Sequence, residues 1–402
     1  MINWKVNLSV LWIGQFLTMA GMTMIVPFMP LYLQEMGMQN EHEVALWASL
    51  IFSANFVTSL FAQPIWGGLA DRYGRKMMLL RSGFGMAIVM TLMGFAHSPW
   101  QLLLLRMLNG TISGFAPAAI ALISINTPKE RIGFAMGTLQ SGGVAGTILG
   151  PLIGGLLAEA FGYRPIFYIT GSLLFAASII ALLLVRESFD RTKAKLKERV
   201  SVLAGARELA KIPQLPALFS VTFLIQFALL GPMTLMPLFV QDLHGKTAML
   251  AFFAGLVGSV NGFSNMIASP LLGRLGDKLG AEKILGICLI GAALSFVPQA
   301  LVENVWQLIA SRFLLGVFMG GLLPSVYTLI RRFTPDGMES RAYSLNTSTL
   351  SLGNMLGPLV GGLLGGWVSI RGVFVLSGIL LLMNSVWVKR TLGSGKRKAA
   401  KA

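Results

Sequence analysis

The sequence has little charge, little histidine and almost no cysteine. Only 12% of its 402 residues are charged, against about a quarter in a typical soluble domain, while 54% are hydrophobic. A chain with so little polar surface is not a soluble enzyme or a disordered protein. The single Cys288 excludes an intrachain disulfide and a cysteine-based zinc or iron–sulfur site, and three scattered histidines offer no metal or nucleophile cluster. No enzymatic activity, cofactor or metal site is expected.

The sequence contains many long runs without a charged residue. Nine runs carry no Asp, Glu, Lys or Arg, and three more carry one arginine each: Arg81, Arg106 and Arg312. A helix needs about 20 mainly apolar residues to cross a bilayer. The sequence therefore predicts an all-α membrane protein with twelve transmembrane helices.

Lysine and arginine are concentrated on one side of these spans. If both termini are cytoplasmic, 27 of the 32 basic residues lie on the inner side, which is the pattern of the positive-inside rule. The net charge of +16 then reflects membrane orientation, and nucleic acid is not an expected partner. We predict a multi-pass protein of the cytoplasmic (inner) membrane, with residues 187–215 as a cytoplasmic linker and 392–402 as a basic cytoplasmic tail.

The two halves of the chain repeat each other at an offset of 206 or 207 residues. MPLYLQ at 29–34 matches MPLFVQ at 236–241, GGLADRYG at 67–74 matches GRLGDKLG at 273–280, and GTILGPLIGG at 146–155 matches GNMLGPLVGG at 353–362. A parallel six-span repeat is typical of transporters whose binding site lies near the bilayer midplane between the halves. The prediction is two pseudo-symmetric six-helix bundles, 1–186 and 216–391.

The loop between spans 2 and 3 reads GGLADRYGRK at 67–76. Its glycines permit a tight turn, and the Asp71 carboxylate can accept hydrogen bonds from a helix N-terminus or pair with an arginine. An ordinary charged hairpin is the alternative. The candidate gating residues are Gly67, Asp71, Arg72, Gly74, Arg75, Lys76 and, in the second copy of the loop, Asp277.

Span 5 contains a run of small residues around a proline. Gly146, Gly150, Pro151, Gly154 and Gly155 allow a neighbouring helix to approach closely, and the proline favours a bend. Plain helix packing without a role in transport is the alternative.

Two arginines lie at matched positions of spans 4 and 10. Because a charge in hydrocarbon is unfavourable, Arg106 and Arg312 either face the bundle interior or snorkel to the membrane surface.

These motifs together resemble those of the major facilitator superfamily. GGLADRYGRK is similar to its signature loop, LLLLRMLNG at 102–110 to its span-4 arginine motif, GTILGPLIGG to its span-5 antiporter motif, and VPFMP at 26–30 to the span-1 motif of twelve-span drug/proton antiporters. The resemblance implies a major-facilitator-type fold and alternating access. It also implies efflux of small amphipathic compounds or antibiotics, driven by the proton gradient, by a protein expected to be a monomer. An uptake symporter or facilitator for a sugar or small metabolite is the alternative.

The sequence departs from the drug-antiporter pattern because no span carries a carboxylate at mid-depth. The candidate coupling residues are Arg106, by family analogy, and Glu35 and Glu159 at outer span ends. Polar and methionine side chains isolated in the spans can line a promiscuous cavity, although each polar group could instead bridge two helices. The candidate cavity residues are Gln15, Met19, Met22, Asn55, Asn109, Gln140, Gln226, Met233, Asn261, Tyr327 and Asn354.

Overall fold

The computed structural model describes residues 3–128, 131–187, 207–245, 249–335 and 338–399. The side chains of 64, 67, 68, 71, 72, 132, 133, 339–341, 344 and 392–399 lie outside that description. The helices are α1 (Trp4–Met24), α2 (Met29–Glu35), α3 (Glu41–Tyr73), α4 (Arg75–Gly94), α5 (Pro99–Ile112), α6 (Phe115–Asn126), α7 (Ile132–Phe161), α8 (Tyr163–Leu184), α9 (Gln214–Leu230), α10 (Met236–His244), α11 (Leu250–Leu279), α12 (Ala281–Leu301), α13 (Val305–Phe333) and α14 (Glu339–Ala399).

Ten helical segments of the described chain are long and apolar enough to cross a membrane. The segment Leu345–Thr391 is 47 residues long, and α14 is divided at Ser369, whose φ of 69° is not helical. It therefore supplies two spans. The shorter apolar helix α9 supplies one more, which α10 extends after a bend. The predicted all-α class with twelve transmembrane spans is confirmed.

Span 4 consists of two helices, whereas its repeat partner is one. α5 ends before Ser113, and Gly114 has a φ of +146°, which an L side chain rarely adopts. The equivalent Gly320 lies inside the continuous helix α13. The repeat is thus maintained in sequence but broken in backbone conformation at this position.

The chain forms two compact units whose sequences interleave. Unit 1 comprises Met1–Gln39, Leu50–Glu198 and Thr247–Ser259, and unit 2 comprises Asn40–Ser49, Arg199–Lys246 and Val260–Ala402. The first turns of α3 therefore belong to unit 2, and the first turns of α11 belong to unit 1. Residues 188–206, most of the predicted linker, lie outside the described residues.

Each unit has an aromatic cluster at equivalent positions. In unit 1 the ring of Phe167 packs against Phe28 and Tyr32 at centroid distances of 5.9 and 5.5 Å. In unit 2 the ring of Phe374 packs edge-on against Phe239 at 5.2 Å. Tyr32 and Phe167 correspond to Phe239 and Phe374 at an offset of 207. The repeat therefore preserves the packing contact and an aromatic ring at each position.

The outside of the helices is apolar. Phe61, Leu183 and Trp367 are 71%, 69% and 88% exposed. Exposed side chains of this size are unfavourable in water and suit contact with lipid, so the surface agrees with a membrane protein.

Candidate functional site

The signature loop is anchored by a carboxylate that lies more than a hundred residues further along the chain. Gly74, with a φ of 96°, provides no side chain to cap α4. The Glu187 carboxylate accepts hydrogen bonds from the backbone N–H groups of Arg75 at 3.0 Å and Lys76 at 2.8 Å. It also lies 3.7 Å from the Arg75 guanidinium. Glu187 therefore caps the positive N-terminal end of α4. The sequence had instead suggested Asp71 as the carboxylate that accepts hydrogen bonds from a helix N-terminus.

Gly67, Asp71 and Arg72 lie within the helix α3, so the predicted turn occurs at Gly74 and the prediction that Gly67 takes part in it is wrong. The side chains of Asp71 and Arg72 lie outside the description, and their predicted gating roles stay predictions. Lys76 Nζ donates to the carbonyl of Leu182 at 2.8 Å. Asp277 is exposed near the end of α11.

Two asparagines hold the same end of unit 1 together. Asn7 Nδ2 donates to the Arg186 carbonyl at 2.8 Å, and the Arg186 N–H donates back to Asn7 Oδ1 at 3.0 Å. Asn126 Nδ2 donates to the same carbonyl at 3.1 Å. The end of α8 thus binds α1, α4 and α6 immediately before the predicted linker. Sequence reasoning missed Asn7 and Glu187; the available signals were a lone asparagine near the start of span 1 and an acid directly after span 6.

The antiporter-motif glycines of α7 lie against the backbone of α1. A Cβ atom at Gly150 would lie 2.8 Å from the Ala20 carbonyl oxygen, and one at Gly154 would lie 2.5 Å from the Met24 carbonyl oxygen. Gly146 meets the Phe16 carbonyl in the same way. No larger residue fits at these positions without displacing backbone, so the glycines fix how closely the two helices pack.

Gly155 faces a different helix. A Cβ atom there would collide with the Ala251 carbonyl and would lie 3.2 Å from Gly255 Cα. Gly255 in turn meets the Pro151 carbonyl. We call this contact of α7 with the start of α11 the first glycine seam: Pro151, Gly155, Ala251 and Gly255.

Unit 2 contains the equivalent contact between α14 and the start of α3. A Cβ atom at Gly362 would collide with Ser49 Oγ and would lie 3.0 Å from the Ala45 carbonyl oxygen. Ser49 Oγ forms a buried 2.8 Å hydrogen bond with Thr234 Oγ1. We call this the second glycine seam: Ala45, Ser49, Thr234 and Gly362. Ala45 and Ser49 are the repeat equivalents of Ala251 and Gly255 at an offset of 206.

Several predicted cavity residues bridge helices. Asn109 Nδ2 donates to Asn55 Oδ1 at 2.8 Å, and both side chains are buried. Gln226 Nε2 donates to Asn354 Oδ1 at 3.0 Å. Gln15 is 4% exposed, and its Oε1 accepts no hydrogen bond from a described residue. Asn109 Oδ1 is likewise buried without a hydrogen-bond partner among the described residues, so Gln15 and Asn109 each retain an acceptor for a ligand.

The remaining predicted cavity residues differ in exposure. Gln140 is exposed on α7. The half-buried ones are Met19, Met22, Met233, Asn261 and Tyr327.

Both span arginines lie in the protein interior. Arg106 and Arg312 are each 4% exposed, and neither Nε has a hydrogen-bond partner among the described residues. Burial agrees with an inward-facing side chain and not with snorkelling.

The candidate coupling carboxylates lie at helix ends. Glu35 and Glu159 are exposed, and Glu159 Oε1 accepts a hydrogen bond from the Met249 N–H at 2.7 Å. Met249 has a positive φ of 66° and directly precedes α11. The Glu159 carboxylate therefore holds the strained residue that leads into the first glycine seam.

Sequence comparison identifies relatives over almost the whole chain. A family model of the Major Facilitator Superfamily matches residues 11–266 and 249–401. "Multidrug resistance protein MdtG" of Enterobacter lignolyticus (strain SCF1) is 43% identical over 393 residues, 97% of this chain and 93% of that protein. MdtG of Salmonella schwarzengrund (strain CVM19633) is 42% identical over 386 residues, 96% of this chain and 95% of that protein. The predicted resemblance to major facilitator drug antiporters is confirmed.

Solved structures share the fold at low sequence identity. A bacterial homologue of the human lysosomal transporter Spinster, inward-facing and occupied, has a TM-score of 0.81 at 17% identity and covers 96% of both chains. The nucleoside transporter NupG has a TM-score of 0.80 at 14% identity, over 97% of this chain and 99% of its own. The family match runs through both halves of the duplicated sequence, and the chain therefore belongs to the major facilitator superfamily of membrane transport proteins.

Proposed function

We propose that this transporter exports small amphipathic compounds or antibiotics across the cell membrane in exchange for protons, by alternating access. The observation that carries the proposal is the pair of glycine seams. In each seam a GPxxGG helix from one half of the sequence places a glycine directly against the start of a helix from the other half. The high identity to MdtG proteins, named for multidrug resistance, supports export of several compounds.

The seams provide the surfaces that part and re-form during the cycle. Glycine faces bury little apolar side chain, so their separation loses less contact than separation of a leucine-rich face would lose. A close contact that is weakly stabilised can open and close at low energetic cost, as a seam that alternates between two conformations must do.

Glu159 links the proton to this motion. As a carboxylate it accepts the Met249 N–H and holds the start of α11 in the first glycine seam. Protonation turns this charge-assisted hydrogen bond into a weaker neutral one. Proton binding at Glu159 then loosens the seam, and release of the proton restores it.

The direct test is transport by cells and by proteoliposomes. Expression should lower the accumulation of ethidium in cells, and a proton ionophore should abolish the difference. In proteoliposomes an imposed pH gradient should drive dye uphill against proton flow. Substrate accumulation inside expressing cells would instead establish an uptake symporter or facilitator.

Two variants test the coupling in the same assay. Arg106→Ala should abolish transport while membrane levels stay normal, because it removes the buried cation of span 4. Glu159→Gln keeps an oxygen that accepts the Met249 N–H but removes the titratable proton, so dye flux should lose its dependence on the pH gradient. A Glu159→Gln protein that retains full dependence would contradict the coupling role.

A further inference from the structure

A large groove lies between the start of α1 and the start of α7 in unit 1. Its volume is about 1100 Å³, and its lining includes Trp4, Lys5 and Trp12 from α1, Arg131 directly before α7, and Phe134 from α7. The transport proposal assigns it no role.

The groove is basic at its mouth. The side chains of Lys5 and Arg131 are both exposed, and neither forms a salt bridge with another described residue. Lys5 Nζ lies 6.0 Å from the centre of the Trp4 ring, at the limit of a cation–π contact. Two cations without a described acid partner are complementary to one anionic group.

The groove is apolar below its mouth. Phe134 is 64% and Ile13 44% exposed. The indole of Trp12 is oriented by a 3.1 Å hydrogen bond from its Nε1 to Ser141 Oγ and is stacked on Phe16 at 5.9 Å. These side chains offer a fixed apolar wall to a hydrocarbon chain.

The distance between the basic and apolar parts suits a membrane lipid. At about 1.5 Å per helical residue, Ile13 lies about 12 Å below Lys5 along α1. One leaflet of hydrocarbon is about 15 Å thick. A molecule with its charge at Lys5 and Arg131 would therefore place its acyl chain beside Trp12 and Ile13.

We propose that this groove binds one anionic phospholipid of the leaflet that faces the chain's N-terminus. Its phosphate lies between Lys5 and Arg131, and an acyl chain lies along Trp12, Ile13 and Phe134. A zwitterionic lipid carries its own cation and gains less from the two bases, and a soluble anion would leave the apolar wall uncovered. The inference does not depend on the identity of the exported compound.

Tryptophan quenching in nanodiscs tests the proposal with the full chain. Phosphatidylcholine discs receive a minor fraction of either phosphatidylglycerol or phosphatidylcholine with brominated acyl chains, which quench nearby indoles. Brominated phosphatidylglycerol should quench more than brominated phosphatidylcholine. The excess should disappear in Trp12→Phe and persist in Trp306→Phe, which removes an exposed indole at the start of α13.

Charge variants separate a specific site from general attraction to the membrane. Each base near the surface favours an anionic lipid by about five-fold, so Lys5→Gln with Arg131→Gln should lower the preference by about 25-fold. The control pair Lys389→Gln with Arg390→Gln removes equal charge from α14 and should retain it. Size-exclusion profiles and thermal unfolding identify any variant that fails to fold.

Equal quenching by the two lipids would overturn the proposal. So would an excess that survives the Lys5 and Arg131 changes, because it would come from the bulk annulus. Quenching of Trp12 by a transported dye, without a preference for phosphatidylglycerol, would reassign the groove as a substrate site.

Discussion

The two glycine seams share one backbone plan but are closed by different chemistry. In the first, Gly155 meets backbone atoms of Ala251 and Gly255, with no polar side chain at the point of contact. In the second, the residue equivalent to Gly255 is Ser49, which adds a buried hydrogen bond to Thr234. Both copies of the repeat thus have the close approach, but backbone contacts limit the first seam, whereas the second also contains a side-chain hydrogen bond.

The carboxylates nearby differ as well. Next to the first seam, the Glu159 carboxylate accepts a hydrogen bond from the strained Met249, which directly precedes α11. Next to the second lies a cavity of about 270 Å³ lined by Glu41, His42 and Asp242, with Arg371 donating to the Ala300 and Val302 carbonyls at 3.2 and 2.9 Å. The two seams therefore have different charged neighbours.

The largest effect should come from filling the seams. Gly155→Ala places a methyl group against backbone that cannot rotate away, and overpacking of this kind is unfavourable by about 1–3 kcal/mol. Gly362→Ala meets the Ser49 hydroxyl and, at 2.5 Å, the Ser49 Cβ atom. The hydroxyl can rotate with loss of about 1 kcal/mol of hydrogen bonding, but the Cβ atom moves only with its backbone, so overpacking adds to that loss. Export of ethidium should fall about ten-fold or more in both variants.

The matched controls are Gly137→Ala on α7 and Gly286→Ala on α12. No atom lies within 4 Å of an added Cβ at either position. Both should transport like the wild type at equal membrane levels. Wild-type export by Gly155→Ala or by Gly362→Ala would contradict the close packing described for that seam.

Removal of the α4 cap should have the next largest effect. Glu187→Ala leaves the N–H groups of Arg75 and Lys76 without their charged acceptor, which should lower the free energy of unfolding by about 2 kcal/mol. Unit 2 offers the comparison Asp277→Ala, since Asp277 is exposed near the end of α11. Substitution of an exposed side chain usually changes the free energy of unfolding by about 0.5 kcal/mol or less. In detergent, the thermal unfolding temperature should fall more for Glu187→Ala than for the comparison variant. The reverse order would contradict the proposed role of Glu187 as the cap of α4.

Loss of the seam hydrogen bond should have a smaller effect. Ser49→Ala and Thr234→Val should each weaken the second seam by about 1 kcal/mol, and the double variant should be no worse than either single variant. The initial rates of dye export by the wild type, the two single variants and the double variant provide this double-mutant cycle. Strictly additive losses would show that the 2.8 Å hydrogen bond has no energetic role.

The smallest expected effect concerns pH. Partial desolvation, reinforced by Glu41 and opposed by Arg371, raises the pKa of the Asp242 carboxyl above its usual 3.8. A raised pKa in the folded state gives stability that is present at low pH and is lost as the pH rises through that pKa. The wild type should therefore lose thermal stability as the pH rises above the ordinary Asp pKa of 3.8, and more steeply than Asp242→Asn. The exposed Asp277→Asn should match the wild type, and parallel curves for Asp242→Asn would contradict the assignment.

The sequence predicted those features that depend on periodicity and on residue size. Twelve apolar runs predicted the spans, and the glycines at 146–155 predicted close helix packing, because no other residue permits such an approach. The sequence could not show that Gly155 faces α11 while Gly150 faces α1, since that depends on how α7 turns between two neighbours.

Polar contacts were harder to predict. Asn55 and Asn109 were candidate cavity residues, yet their side chains bond each other at 2.8 Å. Glu187 was missed because its partners, the N–H groups of α4, are separated from it by more than a hundred residues. A hydrogen bond between distant residues depends on tertiary packing, which the local pattern around either residue does not contain.

The central proposal is that the seams separate in each transport cycle, and a reversible cross-link across the second seam tests it most directly. Ser49→Cys and Thr234→Cys, in a Cys288→Ser background, replace two oxygens that lie 2.8 Å apart. Oxidation should form the disulfide and stop dye export, and reduction should restore it, while the single-cysteine variants stay active under both conditions. Full export by the cross-linked protein would show that this seam stays closed throughout transport.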